Sequence, residues 1–413
     1  MKVLISAYAC EPDKGSEPGV GWNWAVQLSR FHEVWVITRG NNRNSIKNEL
    51  CRVPNPNLHF VYADLPVWLS FWKKGQKGIY IYYFLWQAWA YREARRLQAR
   101  ERFDAVHHVT FGTVWLPTLM TLLNVPFIWG PIGGAEAVPR GLRKHMAFKW
   151  RAYERLRDLI IRWTFSWDPL ARLAAKKARM IIVRTKITRD AFSSEVQKKI
   201  RLMIETGVSR EFLEEMKTRR PPRSATTVLM AGRLLHWKGF DIGIEAFLKV
   251  CDGFPGTRLL IVGSGPEKER LQALAGSRAE EGRVFFTGQL PREEALRTMK
   301  EADVFLMPSM KDAGAWVLYE AMASGLPVVC LDYAGPGEIV DDSCAFSIPI
   351  SARSEVVRKT AEALSALLSS DSLRRSMGAA SISRLEAGFL WEKKGEMIRD
   401  FYSEAFGPGG ASE

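Results

Sequence analysis

Three times between residues 228 and 288 a short apolar run closes on a glycine. Val228–Ala231 leads into Gly232, Leu259–Val262 into Gly263, and Val284–Phe286 into Thr287 and Gly288. Short runs without polar alternation, bounded by turn residues, read as strands buried on both faces. Between them the apolar residues change to helical spacing, as in Ile242, Ala246, Phe247 and Val250. Further strands are expected at Val304–Met307 and Val328–Leu331, and helices at about 240–250, 266–275 and 291–302. Strands joined through helices run parallel, which predicts a doubly wound α/β sheet. Ligands in such sheets bind outside the carboxyl ends of the strands, where these glycines cluster.

The first half repeats the plan less cleanly. Strands are expected at Val3–Ala7, Val34–Thr38, Phe60–Ala63, Ala105–Val109, Pro126–Trp129 and Met180–Arg184, with one or two helices between about 142 and 177. At 413 residues, two α/β domains are expected. The first covers 1–216. A linker at 217–227 contains Arg219-Arg-Pro-Pro-Arg223, and the second domain covers 228–388. Residues 406–413 read as a frayed end.

Charge separates the halves. Residues 1–200 hold 32 Lys/Arg against 15 Asp/Glu and 12 of the 15 tryptophans, whereas residues 201–413 hold 27 Lys/Arg against 30 Asp/Glu. Trp68-Leu-Ser-Phe-Trp72-Lys-Lys74, Trp150, Trp163 and Trp167 lie among basic residues. Tryptophan with Lys and Arg is the composition of an interfacial membrane face, or of core helices with solvated backs. A peripheral contact with anionic membrane is one expected partnership. No recognised nucleic-acid motif accompanies the charge, and no nucleic-acid partner is expected. The apolar run Ile79–Tyr91 has 13 residues, short of the roughly 18–20 that span a bilayer. The beginning of the sequence does not read as a signal peptide, and the five cysteines are scattered, which points to a cytoplasmic, reducing location without a structural metal.

Several stretches carry residues suited to chemistry. In Gly232-Arg233-Leu-Leu-His-Trp-Lys238-Gly239, Arg233 and Lys238 can reach one diphosphate from a strand end and a helix start, or simply form a solvated basic loop. Gly263-Ser-Gly265-Pro and Phe286-Thr-Gly288-Gln read either as tight turns or as backbone walls for a nucleotide. In Asp312-Ala-Gly314-Ala315-Trp316-Val-Leu-Tyr-Glu320, two carboxylates flank a small-residue loop leading into a helix. Carboxylates hold hydroxyls and free helix-start amides hold anions, the two groups a nucleotide sugar offers. Asp312 alternatively caps that helix.

The ordered series Gly-Arg-Leu-x-x-x-Lys-Gly, Val-Gly-Ser-Gly-Pro, Phe-Thr-Gly-x-Leu-Pro, Ala-Asp-Val-Phe-Leu-x-Pro-Ser, Asp-x7-Glu-Ala-Met-Ala-x-Gly-x-Pro-Val-Val and Gly-Pro-Gly-Glu-Ile-Val resembles glycosyltransferase family 4, across nearly all of residues 200–402. The resemblance implies the GT-B fold: two doubly wound Rossmann-like domains facing across a cleft, with a helical segment at 389–413 crossing back to the first. It implies that Arg233 and Lys238 hold the donor diphosphate. Asp312 takes the donor-sugar hydroxyls, where the family usually has Glu, and Glu320 takes the ribose. Gly314, Ala315 and Trp316 lend amides, and Gly263, Gly265 and Gly288 wall the nucleotide.

In the first half the resemblance places Gly19, in Gly15-Ser-Glu-Pro-Gly19-Val-Gly21, against the diphosphate. It places Glu17, Gly133, Gly134 and Glu136 at the acceptor, and a functional histidine at His107 or His108. The implied activity is retaining sugar transfer, without metal or cofactor, from a nucleotide-diphosphate sugar to a saccharide or lipid-linked acceptor. The implied setting is bacterial surface polysaccharide, lipopolysaccharide or glycolipid synthesis on the inner face of the plasma membrane. Alternatives are a sugar-nucleotide epimerase, a sugar phosphorylase or an inactive nucleotide-binding scaffold.

Overall fold

Two parallel sheets organise the chain in a computed structural model that describes all residues except 74, 76–77, 117, 218–225 and 408–413. The first sheet contains β1 (Lys2–Ser6), β2 (Glu33–Thr38), β3 (Leu58–Tyr62), β4 (Ala105–His108), β5 (Phe127–Ile132), β6 (Ala178–Val183) and β7 (Ile200–Leu202), in the order β3-β2-β1-β4-β5-β6-β7. The second contains β8 (Thr226–Ala231), β9 (Thr257–Val262), β10 (Val284–Gly288), β11 (Val304–Met307), β12 (Val328–Leu331) and β13 (Ala345–Ile348), in the order β10-β9-β8-β11-β12-β13. The order reverses between β1 and β4 and again between β8 and β11, and each reversal opens a crevice at the strand ends.

The eleven strands read from sequence are present, and two more, β7 and β13, lie at the sheet edges. Each edge strand pairs on one side only, so neither needs the continuous apolar run of a central strand. The expected linker lies largely outside the described residues, and its Thr226 and Thr227 already belong to β8. The expected frayed end is likewise outside them from residue 408 onward.

The chain crosses between two units several times. One comprises Met1–Ala135, Leu159–Thr206 and the stretch from Trp391, and the other comprises Glu136–Asp158 and Gly207–Leu390. Residues 136–158 and 207–216, assigned by sequence to the first domain, therefore lie in the second unit. Apolar side chains explain this for the first segment: Val138, Leu142 and Met146 are buried in one cluster with Leu234, Phe247 and Ile261. In the second unit Val208 forms a parallel bridge with Leu390, so the outgoing and returning segments lie side by side.

The Trp391–Phe406 helix packs on the Ser16–Ser29 helix of the first unit. A side chain at Gly395 would come within 2.5 Å of Gln27 Oε1, so glycine permits the close approach. Lys394 donates to the Ile204 carbonyl at 2.9 Å. Tyr402 is buried with its hydroxyl 2.9 Å from His107 Nδ1, and His107 Nε2 lies 2.7 Å from the Gly130 carbonyl. A carbonyl only accepts, so Nε2 carries the proton and Nδ1 accepts from Tyr402. Tyr402→Phe would strand that acceptor in a dry interior at a cost of about 1–3 kcal/mol. The variant is expected to unfold at lower temperature than the parent in a thermal melt; an equal midpoint would contradict this hydrogen-bond assignment.

Candidate active site

The loops that follow β8, β9 and β10 are stitched together by backbone. Gly232 N donates to Val262 O at 2.9 Å, Leu234 N to Ser264 O at 2.9 Å, and Gly263 N to Gly288 O at 2.8 Å. A Cβ on Gly263 would stand 1.9 Å from Gly232 O, and one on Gly265 2.4 Å from Leu234 O. Gly263 and Gly265 are thus explained by loop-to-loop contact. Gly288, at φ +75°, has open space where a side chain would stand, so its backbone is approachable.

Lys238 and Gly239 precede the Phe240–Val250 helix. Lys238 Nζ is paired with Asp312, which lies in the loop after β11. The ion pair therefore joins the loops on either side of the β8/β11 reversal. Both side chains are about one-fifth exposed, at 20% and 18%, so the pair is accessible to a ligand yet partly shielded from water. Arg233, in the same β8 loop, is exposed and makes no ion pair among the described residues.

The Asp312 loop is itself constrained. Gly335 N donates to the Asp312 carbonyl at 2.7 Å, and a Cβ on Gly335 would stand 2.0 Å from Ala313 O. Ala315 takes φ +42° and ψ +43°, a left-handed conformation that costs a non-glycine residue about 1 kcal/mol or more. It is the N-cap of the Trp316–Ala323 helix, with no side-chain cap, so Asp312 does not cap that helix. Gly314, Ala315 and Trp316 bring backbone amides to its start. On the same helix Glu320 Oε1 accepts from Arg292 Nη1 at 2.9 Å. Burial pushes the Glu320 carboxyl up, against the pull of Arg292 and a hydrogen bond from Trp316. Arg292 opens the Arg292–Glu301 helix and gave no sequence signal, because Pro-Arg-Glu-Glu reads as an ordinary solvated helix start.

In the first unit the structure gives the surroundings of the residues singled out from sequence. Most of the stretch Gly15–Gly21 is helical, since the helix begins at Ser16 and takes in Gly19 and Gly21. A Cβ on Gly21 would stand 2.1 Å from Ala9 O, so that glycine serves packing. Both oxygens of Glu17 are engaged: Oε2 accepts from Phe111 N at 2.7 Å and Oε1 from Arg184 Nη2 at 3.1 Å. Glu17 thereby ties the ends of β4 and β6 together.

His107 and His108 are both fully buried, and neither offers an unengaged ring nitrogen. His107 is committed to Tyr402 and Gly130; His108 Nε2 lies 3.2 Å from Tyr83 OH and Nδ1 3.4 Å from Ser6 Oγ. Burial pushes His107 down to about 4 and His108 to about 3, so both rings are neutral at physiological pH. Gly133 bridges Thr113 by backbone, and a Cβ on Gly134 would meet the Trp115 ring at 3.2 Å. Glu136 is buried and belongs to the second unit.

Residues 212–384 match the family described as glycosyl transferases group 1. That segment is similar to the group 1 glycosyltransferases, and the two parallel α/β sheets of the chain are those of the GT-B fold. It is 34% identical over 182 residues to a GDP-mannose-dependent monoacylated alpha-(1-6)-phosphatidylinositol monomannoside mannosyltransferase of Corynebacterium glutamicum, covering 42% of this chain and 46% of the relative. It is 32% identical over 185 residues to a D-inositol 3-phosphate glycosyltransferase of Nocardia farcinica, covering 43% of this chain and 40% of the relative. The chain spans about half the length of the curated relatives it matches. Among solved structures, a sucrose-phosphate synthase from Thermosynechococcus elongatus matches with a TM-score of 0.64 at 18% identity, covering 98% of this chain and 99% of that one. WaaG, a glycosyltransferase involved in lipopolysaccharide biosynthesis, matches with a TM-score of 0.57 at 18% identity, covering 96% and 99%.

The β8 loop tolerates little at its helix entry. Gly239 sits at φ +70°, and a Cβ there would stand 1.9 Å from Pro308 O. Gly239→Ala is expected to cost about 2 kcal/mol or more, from left-handed strain and the backbone clash together. A thermal melt that matches the parent would refute this account of the loop.

Proposed function

We propose that the chain transfers a sugar, with retention of anomeric configuration, from a nucleotide-diphosphate sugar to a hydroxyl of a saccharide or lipid-linked acceptor. The Lys238–Asp312 pair at the β8/β11 reversal carries this reading. A diphosphate leaving group gains negative charge as its bond to the sugar breaks. Lys238 stabilises that charge as a mobile ammonium, and Arg233 adds a planar fork of donors. Asp312 holds Lys238 in place and offers its carboxylate to donor-sugar hydroxyls. Glu320, steadied by Arg292, accepts from the ribose hydroxyls. The amides at Gly314–Trp316 and the open backbone at Gly288 complete the donor contacts. His107 and His108 support the first sheet, and Glu17 shapes the ends of its strands. The curated relatives named for inositol-containing acceptors support a glycolipid or surface-polysaccharide setting.

A thermal-shift screen of nucleotide sugars identifies the donor. With that donor, Lys238→Ala is expected to lower turnover by about 10²-fold or more while the protein stays folded. Unchanged turnover would reject the role. A disaccharide or glycolipid product distinguishes transfer from epimerisation or phosphorolysis, and absence of nucleotide binding would favour an inactive scaffold.

The same reading includes a peripheral contact with an anionic membrane, at the inner face of the plasma membrane. No helix among the described residues is long and apolar enough to cross a bilayer. In the first unit, however, Val67, Trp68 and Phe71 are exposed, Trp68 at 71%. Tyr80, Ile81, Phe84 and Leu85 are exposed on the Ile79–Glu101 helix, whose other side buries Tyr82, Tyr83 and Trp86. A helix apolar all round at one end lacks a solvated face there. Leu159, Ile160, Trp163 and Trp167 are exposed on the Phe148–Trp167 helix, beside Arg162. The basic excess of the first half complements acidic headgroups. Trp72, in contrast, packs on the core. The chain is expected to sediment with phosphatidylglycerol vesicles at low salt and to release at high salt or in a Trp68→Ser, Phe71→Ser variant. No binding at low salt would reject the contact.

A further inference from the structure

The second unit contains a buried charge cluster that the donor contacts leave unexplained. Glu154 lies on the Phe148–Trp167 helix and is fully buried. One of its oxygens, Oε1, is 2.9 Å from His236 Nε2 and 2.6 Å from Lys311 Nζ. His236 lies in the β8 loop between Arg233 and Lys238, and Lys311 is the residue before Asp312. A single carboxylate oxygen therefore grips both loops that supply the central ion pair.

The surroundings fix this arrangement. Trp150 stacks on the His236 ring at 4.3 Å between centroids with 14° between planes, and its indole donates to Glu267 Oε1 at 2.7 Å. The Lys311 ammonium lies 4.5 Å from the centre of the Trp237 ring. The loops touch directly through a backbone bond, Met310 N to Trp237 O at 2.8 Å. That bond alone sets their spacing at one point and leaves the angle between them to the side chains.

Energetics argue against a role in stability alone. Burying a carboxylate and an ammonium costs desolvation that their attraction often only offsets, and apolar residues of equal volume often serve stability as well or better. Glu154 Oε2 and His236 Nδ1 are moreover buried without hydrogen-bond partners among the described residues. Burial opposes the charged form of Glu154, but the bonds from His236 and Lys311 outweigh it and hold its carboxyl down at about 2. Burial and the nearby Arg157 push the Lys311 ammonium down to about 8, against the pull of Glu154. Both partners are charged at neutral pH.

We infer that Glu154 is a positioning residue of the donor site, holding the Arg233–Lys238 loop and the Asp312 loop at the separation that a nucleoside diphosphate requires. The inference rests on the nucleotide-sugar reading above. It concerns a residue that touches no substrate and comes from a segment outside 212–384.

The test uses the full chain and calorimetric titration with UDP, GDP, ADP and dTDP. Glu154→Gln keeps the shape of the side chain and removes its charge, and Lys311→Met releases one arm of the clamp. A role in positioning predicts at least tenfold weaker binding in Glu154→Gln, and a smaller loss in Lys311→Met, at unchanged stoichiometry. It also predicts that Glu154→Gln adds little to Lys238→Ala in the double variant. A merely structural role would lower the melting temperature and the bound fraction while the folded molecules kept the parent affinity. Parent affinity in both single variants would overturn the inference and leave the nucleotide-sugar reading intact. Failure of the parent to bind any of the four nucleotides would overturn that reading itself.

Discussion

The hydrogen-bond ladders on the two sides of β8 set the terms for the rest of the second unit. β8 pairs with β9 on one side and β11 on the other, both parallel. The chain must therefore leave the end of β8 toward one face and the end of β11 toward the other, and a crevice opens between them. Lys238 and Asp312 meet across it because each is placed a few residues beyond one of those strand ends. The glycines beside them let backbones approach where a Cβ would strike a carbonyl, as at Gly239 and Gly335.

Much of this was legible in the sequence, for an identifiable reason. Central strands of a parallel sheet are buried on both faces, so their composition is nearly uniform and their ends are marked by glycine. That revealed the nine central strands and the loops carrying Arg233, Lys238 and Asp312. Edge strands obey no such constraint: β3 and β10 were still read from their apolar runs, whereas β7 and β13 were not. The pairing of Arg292 with Glu320 and the grip of Glu154 on His236 and Lys311 join residues 28, 82 and 157 positions apart. No local pattern encodes partners at that distance.

His107, His108, Glu17 and Gly19 were read from their place in a motif, and the structure adds what no motif carries, the partners that packing gives each polar side chain. At the end of β4 the interior is dry, and a neutral histidine with both nitrogens engaged fits there as an internal strut. Residues 136–158 were misassigned because sequence order was taken as a guide to domain membership, while the apolar faces of Val138, Leu142 and Met146 belong to the other core.

The helix that supplies Tyr402 bears on how the protein is made. On the ribosome, β1 to β7 emerge first, yet the hydroxyl that pairs with His107 emerges only after the whole second sheet has been synthesised. The first unit thus remains without one wall throughout most of translation, with the groove along its Ser16–Ser29 helix uncovered, while the later-made sheet has its strands in hand. Vectorial synthesis and structural completion run in opposite order here, and the nascent first unit keeps that apolar face uncovered until its last helix arrives.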